Sequence, residues 1–405
     1  MSKKNTAPRL GNAASGLSSL FASLVCILVG LIVGFLVLLI LGGITLTQSG
    51  SSFSFGELLS TTWEKGLKPI LQGGFFKSGN TMGMGVRMEI LQTAPLIMTG
   101  LSVAFAFKTG LFNIGAAGQY TVGAFFALYS AIVLKMPWYV CLLASALGGA
   151  LWGAIPGIFK AFLNVNEVIT SIMFNWIGLY AVNTMIYQQG TGPMFNIKTT
   201  KTFTLKESAP NALLPYFNVA VDGKDYFGKM FRPTIGIFIA MAVAILVWVI
   251  INKTTFGYEL KACGHNKDAS QYAGINQKKN VVLSMTIAGA LAGMGAGLFY
   301  LSGSKEWEPL MSTMLPMAGF NGISVALLSS SHPIGCIFSA LFISHITVGG
   351  GFMYAKLFPG EVADIISGVV IYLCAFSLLF KSAILKLFSR KPKAVAAEDG
   401  KEADA

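Results

Sequence analysis

Charge is what this sequence has least of. Only 11% of its 405 residues are Asp, Glu, Lys or Arg, against about 25% in soluble domains, so an ordinary soluble globule is excluded. Cysteine is nearly as scarce. Cys26, Cys141, Cys336 and Cys374 lie in or beside apolar runs and Cys263 lies in a polar stretch. No CxxC or Cys/His cluster occurs, which excludes a disulfide framework and a cysteine-based metal site. There is no GxxxxGK[ST], so the chain has no P-loop with which to bind ATP. The acids are dispersed and no Ser/His/Asp set stands out, so neither catalysis nor a cofactor is expected. The net charge of +12 is spread among polar connections. That pattern fits lysines at membrane ends and not a surface for a nucleic acid polymer.

What is present is apolar length. Hydrophobic residues make up 54% of the chain and the mean hydropathy is +0.66. Runs of about 20 apolar residues recur without the alternation of a β-barrel, so the fold class is an all-α polytopic membrane protein in a lipid bilayer. Ten spans are read, at about 19–43, 91–107, 112–134, 137–159, 167–187, 233–252, 280–301, 312–330, 334–352 and 362–380. The first is too long for a signal-peptide core and no small-residue cleavage site follows it convincingly. With both termini inside, 16 of the 29 Lys and Arg fall inside and 13 outside. That margin is thin, so the compact 253–279 loop and the basic 381–393 tail decide the orientation, because long loops obey the positive-inside rule weakly. The expected layout is a cytoplasmic tail over 1–18, a transmembrane domain over 19–380 with outside loops 44–90 and 188–232, and a cytoplasmic tail over 381–405. The last twelve residues, AVAAEDGKEADA, are small, polar and expected to be disordered.

Two stretches resist this plain reading. The first is KTGLFNIGAAGQ, residues 108–119, which sets two amides and three glycines between apolar runs. Amides do not face lipid cheaply, so Asn113 and Gln119 should face protein or a watery cavity. Glycines permit close packing or a helix break. The second is the inside loop 253–279, about 27 residues where a few would suffice. Its spacing suggests a short helix over 267–272 capped by Asn266, so either a basic connector or a knob for a partner fits.

At this loop a resemblance emerges. FGYELKACGHNKDASQYAGIN (256–276) resembles the coupling loop of ABC importer permeases in the branched-chain amino acid and simple-sugar superfamily. GLFNIGAAGQ (110–119), NVNEVITSIMFNWI (164–177) and GFNGISVALLSSSHPIG (319–335) each resemble a motif of the nucleoside-type members, in matching order. The long first run, the large 188–232 loop and GFNGI resemble the longer of the two permease forms that work together. The resemblance covers about 85–380. It implies a fold like the vitamin B12 importer's membrane subunit, with ten helices and a coupling helix between the sixth and seventh. It also implies a second permease, a cytoplasmic ATPase subunit with two nucleotide-binding domains, and an extracellular substrate-binding lipoprotein. The implied cargo is a nucleoside, with a simple sugar or riboflavin-like compound as the alternative. A secondary transporter is disfavoured, because the spans are poor in coupling carboxylates.

The resemblance makes Phe256, Gly257, Glu259, Lys261, Ala262, Gly264, Asn266, Ala269, Tyr272 and Gly274 the set that couples to the ATPase. The substrate-path candidates are Asn113, Gln119, Asn175, Trp176, Phe320 and Asn321, each with interhelix bonding or packing as the rival reading. The family often has a glutamate where this chain has Ala117 and an aspartate where it has Asn321, so a neutral cargo is easier to accept than a cation. Asn166 is expected to cap a span with Glu167 at its positive end, and contact with the ATPase or gating is the alternative. Asp364 reads as a cap or interfacial charge. His332 and His345 read as isolated packing or interfacial residues.

Overall fold

The structure, a computed structural model, describes residues 9–49, 53–76, 80–216, 233–311, 313–359 and 361–375. The apolar runs are helical, as lipid demands of any segment that must pair its own backbone groups. In chain order the helices are α1 (Arg9–Gln48), α2 (Phe55–Thr62), α3 (Lys68–Gln72), α4 (Asn80–Lys108), α5 (Ala116–Ile132), α6 (Trp138–Leu163), α7 (Glu167–Tyr187), α8 (Leu205–Ser208), α9 (Gly236–Lys253), α10 (Thr255–His265), α11 (Lys267–Tyr272), α12 (Gln277–Tyr300), α13 (Met317–Leu328), α14 (Pro333–Gly350) and α15 (Glu361–Ala375). A two-stranded antiparallel pair, β1 (Phe195–Asn196) and β2 (Lys201–Thr202), lies between α7 and α8.

Among the described residues seven helices are long and apolar enough to cross a membrane: α1, α4, α6, α7, α9, α12 and α14. The protein is a multi-pass membrane protein. Each of the ten expected spans coincides with a helix, but α5 has 17 residues, α13 has 12 and the described α15 has 15.

Three expected segments change. The segment 44–90 is not a simple loop: α1 continues to Gln48, α2 and α3 fill its middle, and α4 begins at Asn80. The reason is tertiary. Gly85 of α4 packs on the backbone of Gly74, and Glu89, which reads as a loop residue, is buried. In the 188–232 stretch, residues 188–216 carry β1, β2 and α8. Residues 217–232 and the 381–405 tail lie outside the described residues, as does most of the 1–18 tail's first half. The 312–330 span contracts to α13, about 18 Å of helix where the hydrocarbon needs about 30 Å. The described chain between α12 and α13 is not helical.

The centre of the bundle is the antiparallel crossing of α6 and α12. Gly149, Gly153 and Gly157 of α6 face Gly289, Gly293 and neighbouring residues of α12, and a Cβ on Gly153 would sit 2.9 Å from Gly289 Cα. These are consecutive small-xxx-small pairs, which bring two helix backbones together in lipid. Ser145 of α6 ties the crossing by donating to the Gly293 carbonyl. Around it α4 serves as the hub, packing on α12, α13, α14 and α9.

The position of α13 sets the next feature. Gly322 packs on Thr99 of α4 and Gly319 on Ala117 at the start of α5. Thr99 is nine residues from the Lys108 end of α4, about 13 Å along the axis. The helix therefore occupies only the half of the bundle nearer that end. The described irregular chain, residues 301–311 and 313–316, fills the other half. Non-helical backbone at such depth is tolerated where it is buried in protein or lines a cavity.

Candidate functional site

The glycine- and amide-rich stretch after α4 folds into a clasp. Lys108 ends α4, the chain turns without helix through 109–115, and α5 starts at Ala116. The turn swings Asn113 back onto Gln119, so the two side chains pair reciprocally. Asn113 Nδ2 donates to Gln119 Oε1 at 2.8 Å and Gln119 Nε2 donates to Asn113 Oδ1 at 3.1 Å. Asn113 Nδ2 also donates to Ser102 Oγ of α4 at 3.0 Å. Asn175 of α7 joins from the side: its Oδ1 accepts the Gly118 N–H at 2.8 Å and its Nδ2 donates to the Ile114 carbonyl at 3.1 Å. All three amides are buried. The glycines make the approach possible. A Cβ on Gly118 would lie 2.7 Å from Asn175 Cα, and Gly110, at φ +74°, packs on Gly264 of α10.

Three of the six path candidates thus bond to one another or to backbone. Asn113→Leu would strand the donor and the acceptor of Gln119 in the interior, at about 1–3 kcal/mol for each unsatisfied group. Thermal unfolding in detergent should show a clear loss for Asn113→Leu or Gln119→Leu alone. The double Asn113→Leu, Gln119→Leu variant should lose less than the sum of the two, because it leaves neither amide of the pair unpaired and strands only the Ser102 hydroxyl. Strictly additive losses would show that the pair does not act as a unit.

The other three candidates part company. Trp176 lies on the outer face of α7, exposed and stacked on Tyr180 with ring centroids 6.1 Å apart. Phe320 packs against the core. Asn321 lines a cavity of about 460 Å³ between α4, α5, α12 and the irregular chain of residues 305–311 and 313–316. The aromatic wall of this cavity includes Tyr120, Tyr300 and Trp307 beside Phe299. The Tyr120 and Tyr300 rings are 6.4 Å apart and tilted 57°, and the Tyr300 and Trp307 rings are 5.7 Å apart and tilted 51°. Gln92 of α4 contributes a second amide, and exposed Met311, Met314 and Met317 rim the opening. Pro95, also on the wall, is 13 residues from the Lys108 end of α4 and 15 from Asn80. By helix rise that puts the wall about 20 Å from either end.

The 195–216 segment holds the Trp307 wall in place. Thr202 N–H donates to the Trp307 carbonyl at 2.9 Å, Trp307 N–H donates to Thr202 Oγ1 at 3.1 Å, and the indole N–H donates to Asn183 Oδ1 at 2.8 Å. Lys201 pairs with Glu308 at 2.8 Å. That hydrogen bond holds the Glu308 carboxyl below the usual carboxylate range and raises Lys201. The cavity residues Gln92, Tyr120, Tyr300 and Trp307 are not among the sequence candidates. Isolated aromatics in apolar runs carry no signal of shared location until α5 and α12 are placed side by side.

At the Lys108 end, α10 and α11 form a two-helix knob between α9 and α12. Thr254 caps α10 through the Gly257 N–H, and Asn266 caps α11 through the Ala269 N–H at 3.0 Å. The residues of the expected coupling set divide by direction. Gly257 is buried with Leu260 and Cys263, while Phe256, Glu259, Lys261 and Ala262 are half-buried. Gly264 is exposed, but a Cβ there would meet the Thr109 carbonyl carbon at 2.6 Å and Gly110 N at 2.7 Å. Asn266, Ala269, Tyr272 and Gly274 are exposed, Tyr272 at 95%.

Two histidines and one acid also find partners. His332 caps α14 by accepting the Gly335 N–H. His345 is not isolated, because α4 extends far enough to bring Glu89 beside it. Glu89 Oε1 lies 3.0 Å from Nδ1, and the Leu71 carbonyl lies 3.1 Å from Nε2. Each ring nitrogen faces an acceptor, so the imidazolium satisfies both. Glu89 Oε2 also accepts the Gly74 N–H at 3.0 Å, which pins the chain after α3 to α4 and α14. Asn166 caps α7 by accepting from Val168 N, and Glu167 pairs with Lys160 at 2.9 Å. Among the described residues no three His, Cys, Asp or Glu side chains gather into a metal site.

The family described as "Branched-chain amino acid transport system / permease component" matches residues 87–375. The guanosine ABC transporter permease protein NupP of Bacillus subtilis (strain 168) is 35% identical over 376 residues, 92% of this chain and 97% of that protein. The nucleoside ABC transporter permease protein NupB of Lactococcus lactis subsp. cremoris (strain MG1363) is 34% identical over 323 residues, 78% of this chain and 86% of its own. The guanosine ABC transporter permease protein NupQ of Bacillus subtilis (strain 168) is 26% identical over 267 residues, 64% of this chain and 78% of that protein. No solved structure matches the chain.

Proposed function

The chain belongs to the branched-chain amino acid transport system permease family, and from that premise we propose that it is one of two permease subunits of an ATP-driven importer of nucleosides. It spans the bacterial cytoplasmic membrane ten times in a fold like the vitamin B12 importer's membrane subunit, with both termini cytoplasmic. The relatives named for nucleosides and guanosine support the cargo, and the occurrence of NupP and NupQ in one bacterium supports a paired second permease.

The observation that carries this reading is the knob α10–α11, capped at both helix starts and presenting Tyr258 and Tyr272 outward. In this reading the knob rests on a cytoplasmic ATPase subunit with two nucleotide-binding domains. ATP binding closes the two domains and pushes on the knob. The push reaches the bundle through the Gly264–Gly110 contact and the amide clasp behind it. The two permeases then alternate between outward- and inward-open states around a shared path. An extracellular lipoprotein delivers the cargo at the opposite end, where the 195–216 segment lies against the cavity wall.

The test is reconstitution of the chain with its second permease, ATPase and binding protein in liposomes. Labelled guanosine, adenosine, uridine or cytidine should accumulate, and only with ATP. Accumulation of a simple sugar or riboflavin, with none of the four nucleosides, would reassign the cargo. ATP-independent uptake by the chain alone would make it a secondary transporter.

A further inference from the structure

The cavity beside α13 holds polar groups that no described residue uses. Tyr120 and Tyr300 are 2% and 7% exposed, and both line the cavity. Among the described residues neither phenol hydroxyl has a hydrogen-bond partner, and neither is sealed away from the cavity. The carboxamides of Gln92 and Asn321 line the same space and are likewise unpartnered among the described residues. By contrast the buried amides Asn113, Gln119 and Asn175 each bond through both oxygen and nitrogen. Two hydroxyls on buried tyrosines and two half-buried carboxamides thus face one cavity with no described protein partner, and they offer a ligand four polar contacts.

The chemistry of the wall selects the ligand. All four free groups are uncharged; of the charged residues on the lining, Glu308 is paired with Lys201, and exposed Lys305 and half-buried Glu306 carry opposite signs, so the lining has no excess of one sign. A fixed ion is therefore a poor fit. The three aromatic rings form a tilted wedge against which a flat ring can stack. Each amide offers one donor beside one acceptor, the complement of a base edge. A hexose lacks the planar π-face that a base would lay against this wedge. The volume of about 460 Å³ is in the range of small-molecule sites.

We propose that this cavity is a nucleobase-reading site on the transport path, with Asn321 and Gln92 pairing with the base edge and Tyr120, Tyr300 and Trp307 stacking on it or bonding to its rim. The inference rests on the nucleoside reading above and adds which residues contact the base. It also makes this chain a contributor to selectivity, beyond any selection by the delivering protein.

The experiment uses the complete reconstituted importer and measures initial uptake against nucleoside concentration. Tyr300→Phe keeps the ring and removes one hydroxyl. It should raise KM about tenfold, the order of one lost hydrogen bond. Asn321→Asp replaces a donor–acceptor pair with acceptors only. A guanine edge offers two adjacent donors and an adenine edge offers one donor and one acceptor, so the guanosine-to-adenosine uptake ratio should rise several-fold. Asn321→Leu, which adds no buried charge, guards against misfolding of the aspartate variant and should raise KM for both nucleosides. Wild-type KM and wild-type ratio in all three variants of an importer that does carry nucleosides would overturn the site alone. A wild-type importer that carries no nucleoside would overturn the parent reading and this inference with it.

Discussion

Gly149→Val should abolish recovery of the folded chain, whereas Gly368→Ala should leave it intact. A Cβ on Gly149 would land on the Gly289 carbonyl oxygen and lie 2.7 Å from Gly293 Cα. Both obstacles are backbone, so no side chain can swing aside. The valine adds its two further methyls inside a crossing where the backbones already touch. Overpacking of a relaxable core costs about 1–3 kcal/mol, and a contact walled by backbone on both helices should cost more. Because α12 also packs on α4 and α5, separating it from α6 disturbs the centre of the bundle. Gly368 in α15 has no described atom within 4 Å of the position a Cβ would take, so alanine there meets open space among the described residues. Detergent extraction followed by size-exclusion chromatography and thermal unfolding tests both. A monodisperse Gly149→Val species with wild-type melting would show that the α6–α12 crossing has slack that the close approach denies.

What the sequence revealed and what it concealed follow a physical line. α11 runs from Lys267 to Tyr272 behind an Asn266 cap, as expected, because an N-cap is an interaction between a side chain and a backbone N–H three residues away. The Asn166 cap of α7 was legible for the same reason. The first half of α4 was not. Gly83, Gly85, Arg87 and Glu89 break the apolar run, and their place in a helix depends on Gly74 and His345, far away in sequence. The contraction of α13 was equally hidden, since its helix start follows from chain folded into the bundle ahead of it and not from hydropathy.

The candidate site divides in the same way. The sequence shows that Asn113, Gln119 and Asn175 need partners, but a pairing between residues six apart requires the non-helical turn that only the tertiary fold supplies. Asn321 was the one path candidate placed on the cavity. Its neighbours Tyr120 and Tyr300 come from α5 and α12, and no spacing rule joins residues so far apart. The two GxxxG series in α6 and α12 were visible in the letters. Which helix each series would meet was not.

A double Ala269→Glu, Tyr272→Ala variant should fold and insert normally yet lose the ATPase and all ATP-driven uptake. The expectation follows from the direction in which the knob residues point. Ala269 and Tyr272 are exposed on α11, and Tyr272 makes almost no contact within its own chain. Surface substitutions of this kind typically change stability by no more than about 0.5 kcal/mol. An aromatic side chain held out at the tip of a capped helix is the type of residue that dominates an interface, and its truncation there costs about 2 kcal/mol or more, roughly thirtyfold in affinity. The added glutamate brings an unpaired charge into the same contact and should remove what affinity remains. Gly264→Glu makes the instructive contrast. It carries the same charge on the same knob, but its side chain would be driven into Thr109 and Gly110, so it should lower the melting temperature and loosen α10 from the bundle before any partner is considered. Co-purification of the ATPase, uptake in liposomes and thermal unfolding on the same preparations separate the two effects. Wild-type ATPase recovery and wild-type uptake in the Ala269→Glu, Tyr272→Ala variant would reduce the knob to a connector. Loss of both with unchanged melting would assign the force-bearing contact to the outward face of α11.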